Sequence, residues 1–199
     1  MGRIALIKTP PRNGAGRTPV CAERRRLLLR AGTVCAALGA LACLPARAAT
    51  AARPRSLSFV NIHTGETLTA PYFDGSAYSA DCLSDVNHLL RDWRTGEVHA
   101  IDPALLDVLY DLQVLADRDA AYEVICGYRS AATNAMLHRL SGDVAEHSQH
   151  LLGKAIDVRL SGYSTATLAA RARTLSRGGV GFYANSDFVH VDTGRVRFW

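Results

Sequence analysis

The chain has 199 residues, of which 48% are hydrophobic and 21% charged, a composition that favours one globular domain over several. Its formal charge of +5 is unevenly distributed: residues 1–48 contain nine Lys or Arg and one Glu, a local net charge of +8, so the remainder carries −3. A domain with this negative balance is not expected to attract nucleic acid. We therefore predict no nucleic-acid partner.

Residues 24–48 have the organisation of an export signal. Arg25-Arg26 is followed by an apolar run over residues 31–44 and by a small-residue cleavage site at 46–48. The run is shorter than the roughly 20 residues that span a bilayer. The segment resembles a twin-arginine signal, which predicts an exported, periplasmic protein without a stable membrane span. Lipid anchoring at Cys43 is not expected, because the preceding residues depart from the lipoprotein pattern.

The rest of the chain divides into short flanks and one domain. Residues 1–23 lack periodicity, which indicates disorder or a start codon assigned too early, and residues 49–56 read as a flexible lead-in. Residues 57–199 form the predicted catalytic domain, which we expect to be a monomer. Cys82 and Cys126 could form a bridge in an oxidising compartment, or be two small buried side chains.

The elements of this domain follow from turn signals and apolar spacing. A turn at residues 63–66 predicts a hairpin, helical spacing predicts a helix from Ser79 to Trp93, and Asp102 with Pro103 predicts the start of a second helix. Further along, the patterns predict a strand at 122–126, a helix at 131–140, a strand at 155–160, a helix at 165–175 and short strands over 180–199. Without regular βαβ alternation, this order predicts an α+β domain with a small antiparallel sheet and flanking helices.

Residues 148–158 carry the first chemically informative pattern. In the predicted strand the apolar residues share one face, so Asp157 points to the other. Gly153 allows a turn between His150 and this strand, so an imidazole and a carboxylate can converge. Ser148 either orients His150 or caps the local turn.

A second pattern lies in a predicted strand nearer the C-terminus. Strand alternation places His190 and Asp192 on the same face. His190 would join His150 and Asp157. Two imidazoles and one carboxylate leave a fourth tetrahedral position open, as a catalytic zinc requires.

These residues resemble the zinc peptidases of peptidoglycan, a family that includes D-alanyl-D-alanine carboxypeptidases and murein endopeptidases and shares its fold with the Hedgehog signalling domain. The chain is most similar to the murein endopeptidase K branch. The motifs Ser-x-His-x-x-Gly-x-Ala-x-Asp and Phe-Val-His-Val-Asp stand complete at residues 148–157 and 188–192. The resemblance covers residues 57–199.

The resemblance implies roles for individual residues. The implied ligands of one zinc ion per chain are His150, Asp157 and His190. The implied substrate-binding residues are Tyr128, Arg129 and Ser130. A guanidinium can fork onto the free carboxylates of diaminopimelate and terminal D-alanine, although Arg129 could instead pair with a buried acid.

Three residues are candidates for the general base. Related carboxypeptidases have a Glu three residues before the last His. This chain has Asp187 at that position, with a shorter side chain. Asp192 lies two residues after His190, on the same face of the predicted strand. It could act either as the base or as the partner that holds His190 in its metal-binding tautomer. His147 is a further candidate.

The expected function is zinc-dependent hydrolysis of the peptide cross-links of peptidoglycan. One alternative is a D-alanyl-D-alanine carboxypeptidase, which differs in whether the groove is closed at one end. The others are a zinc-containing wall-binding module without catalysis and a wall-binding protein without metal.

Overall fold

The computed structural model describes residues 52–141 and 144–199, so the predicted export signal and its cleavage site lie outside the described residues. The strands of this part are β1 (Arg55–Asn61), β2 (Thr67–Phe73), β3 (Tyr122–Cys126), β4 (Ala155–Leu160), β5 (Gly179–Tyr183), β6 (Phe188–Asp192) and β7 (Arg197–Phe198). The α-helices are α1 (Ala80–Leu89), α2 (Pro103–Ala116), α3 (Ala131–Leu140) and α4 (Thr165–Leu175). Short 3-10 helices at Gln149–Leu152 and Ala184–Ser186 were not predicted.

Each α-helix begins after a side chain that caps its first turn. The caps are Ser79, Asp102, Ser130 and Ser164, whose oxygens accept hydrogen bonds from backbone N–H groups of the first turn. The predicted start of α2, with Pro103 in its first turn, is confirmed.

The predicted end of α1 at Trp93 is wrong. The helix ends at Leu89, and a turn begins at Asp92, whose backbone N–H donates to Glu97 O at 2.9 Å while its carbonyl accepts from Gly96 N at 2.7 Å. The two hydrogen bonds stabilise a turn that follows the helix, although the helical spacing of apolar residues continues to Trp93.

The predicted small antiparallel sheet is also wrong in size and pairing. The structure has one mixed sheet of seven strands in the order β2-β1-β3-β4-β6-β5-β7. Strands β1 and β3 run parallel, as do β5 and β7, and the other neighbours are antiparallel. The parallel pair β1 and β3 is possible because β2, α1 and α2 form a long crossover between them. Local patterns could not show which distant strands pair.

One hydrophobic core lies between the sheet and the helices. Helix α2 packs against β1 and α4, and α4 packs against β4, β5 and β6. The largest fully buried side chains include Tyr72, Tyr122, Phe59, Leu106 and Ile156. None of the helices in the described part of the chain combines the length and apolar character that a bilayer span requires.

Candidate metal centre

His150 is held by the short helix Gln149–Leu152 that precedes β4. The Ser148 side chain caps this helix, because its Oγ accepts from His150 N at 3.3 Å. The imidazole is buried, and its Nδ1 lies 2.7 Å from Gly127 O. A carbonyl oxygen can only accept, so Nδ1 carries a proton and Nε2 is the atom available to a metal.

Gly153 makes the turn from this helix into β4. Its φ of +63° lies in the left-handed region, and an added Cβ would sit 2.2 Å from Ala100 O. No side chain is tolerated at such a separation, so glycine is required for His150 and the following strand to face the same point.

Strands β4 and β6 bring Asp157 and His190 together. The two residues are direct partners in the antiparallel ladder, where opposite side chains are close neighbours. Asp157 Oδ1 lies 2.9 Å from His190 Nδ1 and 3.3 Å from His150 Nε2, and the two imidazole nitrogens are 3.2 Å apart.

This spacing matches the geometry of zinc. A tetrahedral centre with bonds of about 2.05 Å holds its ligand atoms about 3.3 Å apart. Two neutral imidazole nitrogens and one carboxylate oxygen are also the donors that a catalytic zinc takes, with a fourth position left open. The spacing and the chemistry of the three donor atoms therefore fit a zinc ion.

Asp192 contacts His190 at the ring nitrogen opposite the one that faces Asp157. Its carboxylate is fully buried, and its Oδ2 lies 2.9 Å from His190 Nε2. It also accepts hydrogen bonds from both terminal nitrogens of Arg197 and from the backbone N–H groups of Gly179 and Gly194. Burial alone would raise the pKa of Asp192, but these donors lower it, so the carboxylate is ionised and holds the proton of His190 on Nε2.

The three convergent side chains open onto a cleft of about 480 Å³. The cleft is also lined by Arg129, His147, Tyr183, Phe188, Arg197 and Trp199, among others. Its volume falls in the range of small-ligand sites.

The sequence model of the family described as peptidoglycan L,D-endopeptidase MepK matches residues 49–199. The chain belongs to this family. A peptidoglycan L,D-endopeptidase MepK of Escherichia coli is 42% identical over 181 residues, which cover 89% of this chain and 97% of the relative. A probable peptidoglycan L,D-endopeptidase MepK of Haemophilus influenzae is 47% identical over 148 residues, which cover 74% of this chain and 80% of the relative.

In this member of the MepK family, the predicted substrate residues have different surroundings. The Arg129 guanidinium reaches the cleft, with Nη2 3.5 Å from Cys126 Sγ and 3.8 Å from Asp157 Oδ2. Ser130 is buried and donates to Asp92 Oδ2 at 2.7 Å. Tyr128 stacks on His99, with ring centroids 4.7 Å apart. Of these three, Arg129 alone lines the cleft.

Asp187, the acid immediately before the motif at residues 188–192, faces α4 rather than the cleft. Its Oδ1 accepts from Thr165 Oγ1 at 2.5 Å, and its Oδ2 lies 3.7 Å from Arg159 Nε. Its φ of +51° turns the chain out of the second 3-10 helix and into β6. Among the described residues, Asp187 is not one of those that line the cleft.

Cys126 also lies at the site, whereas the sequence predicted it to be either a disulfide partner or a small buried side chain. Both Cys82 and Cys126 are free thiols. Cys126 is the ladder partner of Asp157, and its Sγ lies within 4.8 Å of donor atoms of Asp157 and His150. Burial would raise the pKa of Cys126, but the adjacent His150 lowers it overall. The sequence signal that could have identified Cys126 is its position at the end of the predicted strand 122–126, three residues before Arg129.

His150 and Asp157 form a buried ion pair. Burial opposes the charged form of His150, but the charges of Asp157 and Cys126 outweigh it and raise its pKa to about 10. Burial likewise opposes ionisation of Asp157, and the imidazoles overcome it and lower its pKa. A metal that binds these residues must displace the proton from His150 Nε2.

Proposed function

We propose that this chain is a zinc-dependent murein endopeptidase that hydrolyses L,D peptide cross-links of peptidoglycan. The observation that carries the proposal is the convergence of His150 Nε2, Asp157 Oδ1 and His190 Nδ1 within 3.3 Å of one another in a cleft. Membership of the MepK family and the activity named for its relatives in Escherichia coli and Haemophilus influenzae support the reaction and the substrate class.

His150, Asp157 and His190 would hold the zinc ion. When bound, zinc supplies Lewis acidity that polarises a carbonyl and activates water near neutral pH. The protein prepares the ligands in advance, because Gly127 O holds the His150 proton on Nδ1 and Asp192 holds the His190 proton on Nε2. Once the metal displaces the proton of His150 Nε2, the two nitrogens that face each other are left to bind it.

We assign Asp192 a positioning role, not proton transfer. Its carboxylate has no exposed surface, and donors from His190, Arg197 and two backbone amides occupy it. Asp187 is held by Thr165 outside the cleft. Of the three candidate bases, His147 alone lines the cleft that holds the triad of His150, Asp157 and His190, so its imidazole is our candidate for the base that takes the proton of the attacking water.

Arg129 is placed to bind the substrate. The contacts of its terminal guanidinium nitrogens within the protein are long, between 3.3 and 3.8 Å, and its Nε makes no hydrogen bond with any described residue. Diaminopimelate cross-links carry a free carboxylate next to the peptide bond, which a guanidinium can bind through two parallel hydrogen bonds. Arg129 would thus orient the cross-link beside the metal.

The proposed site of action is the periplasm. The Arg25-Arg26 segment and the apolar run after it support export through a twin-arginine-type signal, with the catalytic domain starting near residue 57 after cleavage. The murein substrate is found in that compartment.

Purified muropeptides test the proposal directly. The protein is incubated with dimers joined by L,D cross-links, dimers joined by D,D cross-links and monomers that end in D-alanyl-D-alanine, and the products are separated by chromatography. We expect conversion of the L,D dimer to monomers. Release of D-alanine from the monomer instead would identify a carboxypeptidase, and zinc binding without any cleavage would indicate a wall-binding module.

A further inference from the structure

Three aromatic side chains line the cleft beside the triad. Trp199 and Tyr183 are 46% and 37% exposed, and Phe188 stacks on Tyr183 with ring centroids 4.6 Å apart. We call these three residues the aromatic wall. Clefts that bind small ligands are lined largely by hydrophobic and aromatic side chains, so the aromatic wall is suited to contact a ligand.

Hydrogen bonds hold both the backbone and the indole of Trp199. Its backbone N–H donates to Val180 O at 3.2 Å, and its carbonyl accepts from Phe182 N at 3.1 Å. The indole N–H donates to Tyr183 Oη at 3.0 Å. A ring held in this way contacts a ligand with little loss of side-chain entropy.

Gly181 provides the space for the indole. A Cβ at this position would lie 2.5 to 2.7 Å from three atoms of the Trp199 ring, so any other residue would displace the ring. Glycine inside a strand is costly and often marks a place of close approach. In β5 that approach is made by Trp199.

The indole is also next to the metal ligands. Its ring centroid lies 5.2 Å from that of His190, at an interplanar angle of 45°. Arg197, whose guanidinium is 5.0 Å from the indole centroid, is held by Asp192. A peptide whose scissile carbonyl reaches His190 therefore passes within contact distance of Trp199.

We propose that Trp199 is a specificity-determining residue whose indole packs against the methylene chain of diaminopimelate in the cross-link. The inference rests on the proposed function and extends it to a particular part of the substrate. Diaminopimelate has three methylenes between two polar centres, which suits an apolar surface flanked by Arg129 and the metal ligands. From the area that such a chain buries, removal of the indole is expected to raise KM by about 10- to 50-fold.

Steady-state kinetics on the L,D-linked dimer test the proposal with Trp199→Ala and Trp199→Phe. We expect KM to rise by about 10- to 50-fold in the Ala variant and by less in the Phe variant, with kcat changed less than KM. Trp93→Phe is the matched control, because Trp93 stacks on His63 and does not line the cleft. Its KM should stay at the wild-type value.

Fluorescence provides a readout that does not depend on turnover. The chain has two tryptophans, so in the Trp93→Phe protein the emission comes from Trp199 alone. Titration with the disaccharide-tripeptide product should shift or quench this emission in a saturable way. Cleavage by the wild type with unchanged KM in Trp199→Ala and no fluorescence response would overturn the inference and leave the proposed function standing. Absence of cleavage by the wild type would overturn both.

Discussion

Asp192→Asn separates the two roles that a carboxylate beside His190 could have. The substitution keeps the shape of the side chain but removes the charge that faces Arg197 and the strong acceptor for His190 Nε2 at 2.9 Å. An Asn amide can also donate to Nε2, which would move the imidazole proton to Nδ1, the atom that faces Asp157.

The size of the effect follows from the burial of the group. Asp192 has no exposed surface, and loss of one member of a buried charge pair costs about 3–5 kcal/mol, so the free energy of unfolding of the zinc-free protein should fall by about 3 kcal/mol. Loss of the partner that orients a metal-binding His weakens metal affinity by about 10- to 100-fold.

The assay is a competition titration of zinc against a chromophoric chelator, with urea unfolding of the zinc-free protein in parallel. Asp187→Asn is the matched control, because Asp187 lies outside the cleft and Asn tolerates its left-handed backbone; its zinc affinity should equal that of the wild type. If Asp192→Asn bound zinc as tightly as the wild type and lost only kcat, Asp192 would be the base and our assignment would be refuted.

Other substitutions test the remaining assignments. His147→Gln should lower kcat by about 100-fold or more with unchanged zinc content, and an unchanged kcat would remove His147 as the base. Arg129→Lys keeps the charge but loses the forked donor, so kcat/KM for the L,D-linked dimer should fall by about 10- to 100-fold; equal values would show that the fork is not used. Burial opposes ionisation of Asp92, but hydrogen bonds from Thr133, Ser130 and the backbone lower its pKa to about 2. Because this pKa lies below the unfolded value of about 3.9, the stabilisation is present above about pH 4 and is lost as the pH falls towards 2. Between pH 4 and pH 2 the wild type should lose about 2 kcal/mol more than Asp92→Asn in urea unfolding, and parallel pH curves would contradict the pKa.

The three residues of the proposed metal site could be identified from sequence because their geometry is mostly local. Alternation in β4 and β6 set the direction of Asp157 and His190, and Gly153 marked the turn after His150. The structure brings these three side chains together as predicted.

The surroundings of those residues depend on contacts between distant segments. The donors that occupy Asp192 come from Gly179, Gly194 and Arg197, and no local pattern shows that β5 and β7 meet there. Cys126 reaches the site because β3 pairs with β4. Strand pairing of this kind is decided by tertiary packing, so the sheet was predicted too small.

The proposed function requires a single zinc site built by His150, Asp157 and His190. Zinc content per chain, measured by elemental analysis of the purified wild type, His150→Ala and His88→Ala, tests it most directly; His88 is a matched control because its side chain is 63% exposed. We expect about one zinc per chain in the wild type and in His88→Ala, and almost none in His150→Ala. Equal zinc content in all three proteins, or none in the wild type, would contradict the proposed zinc site.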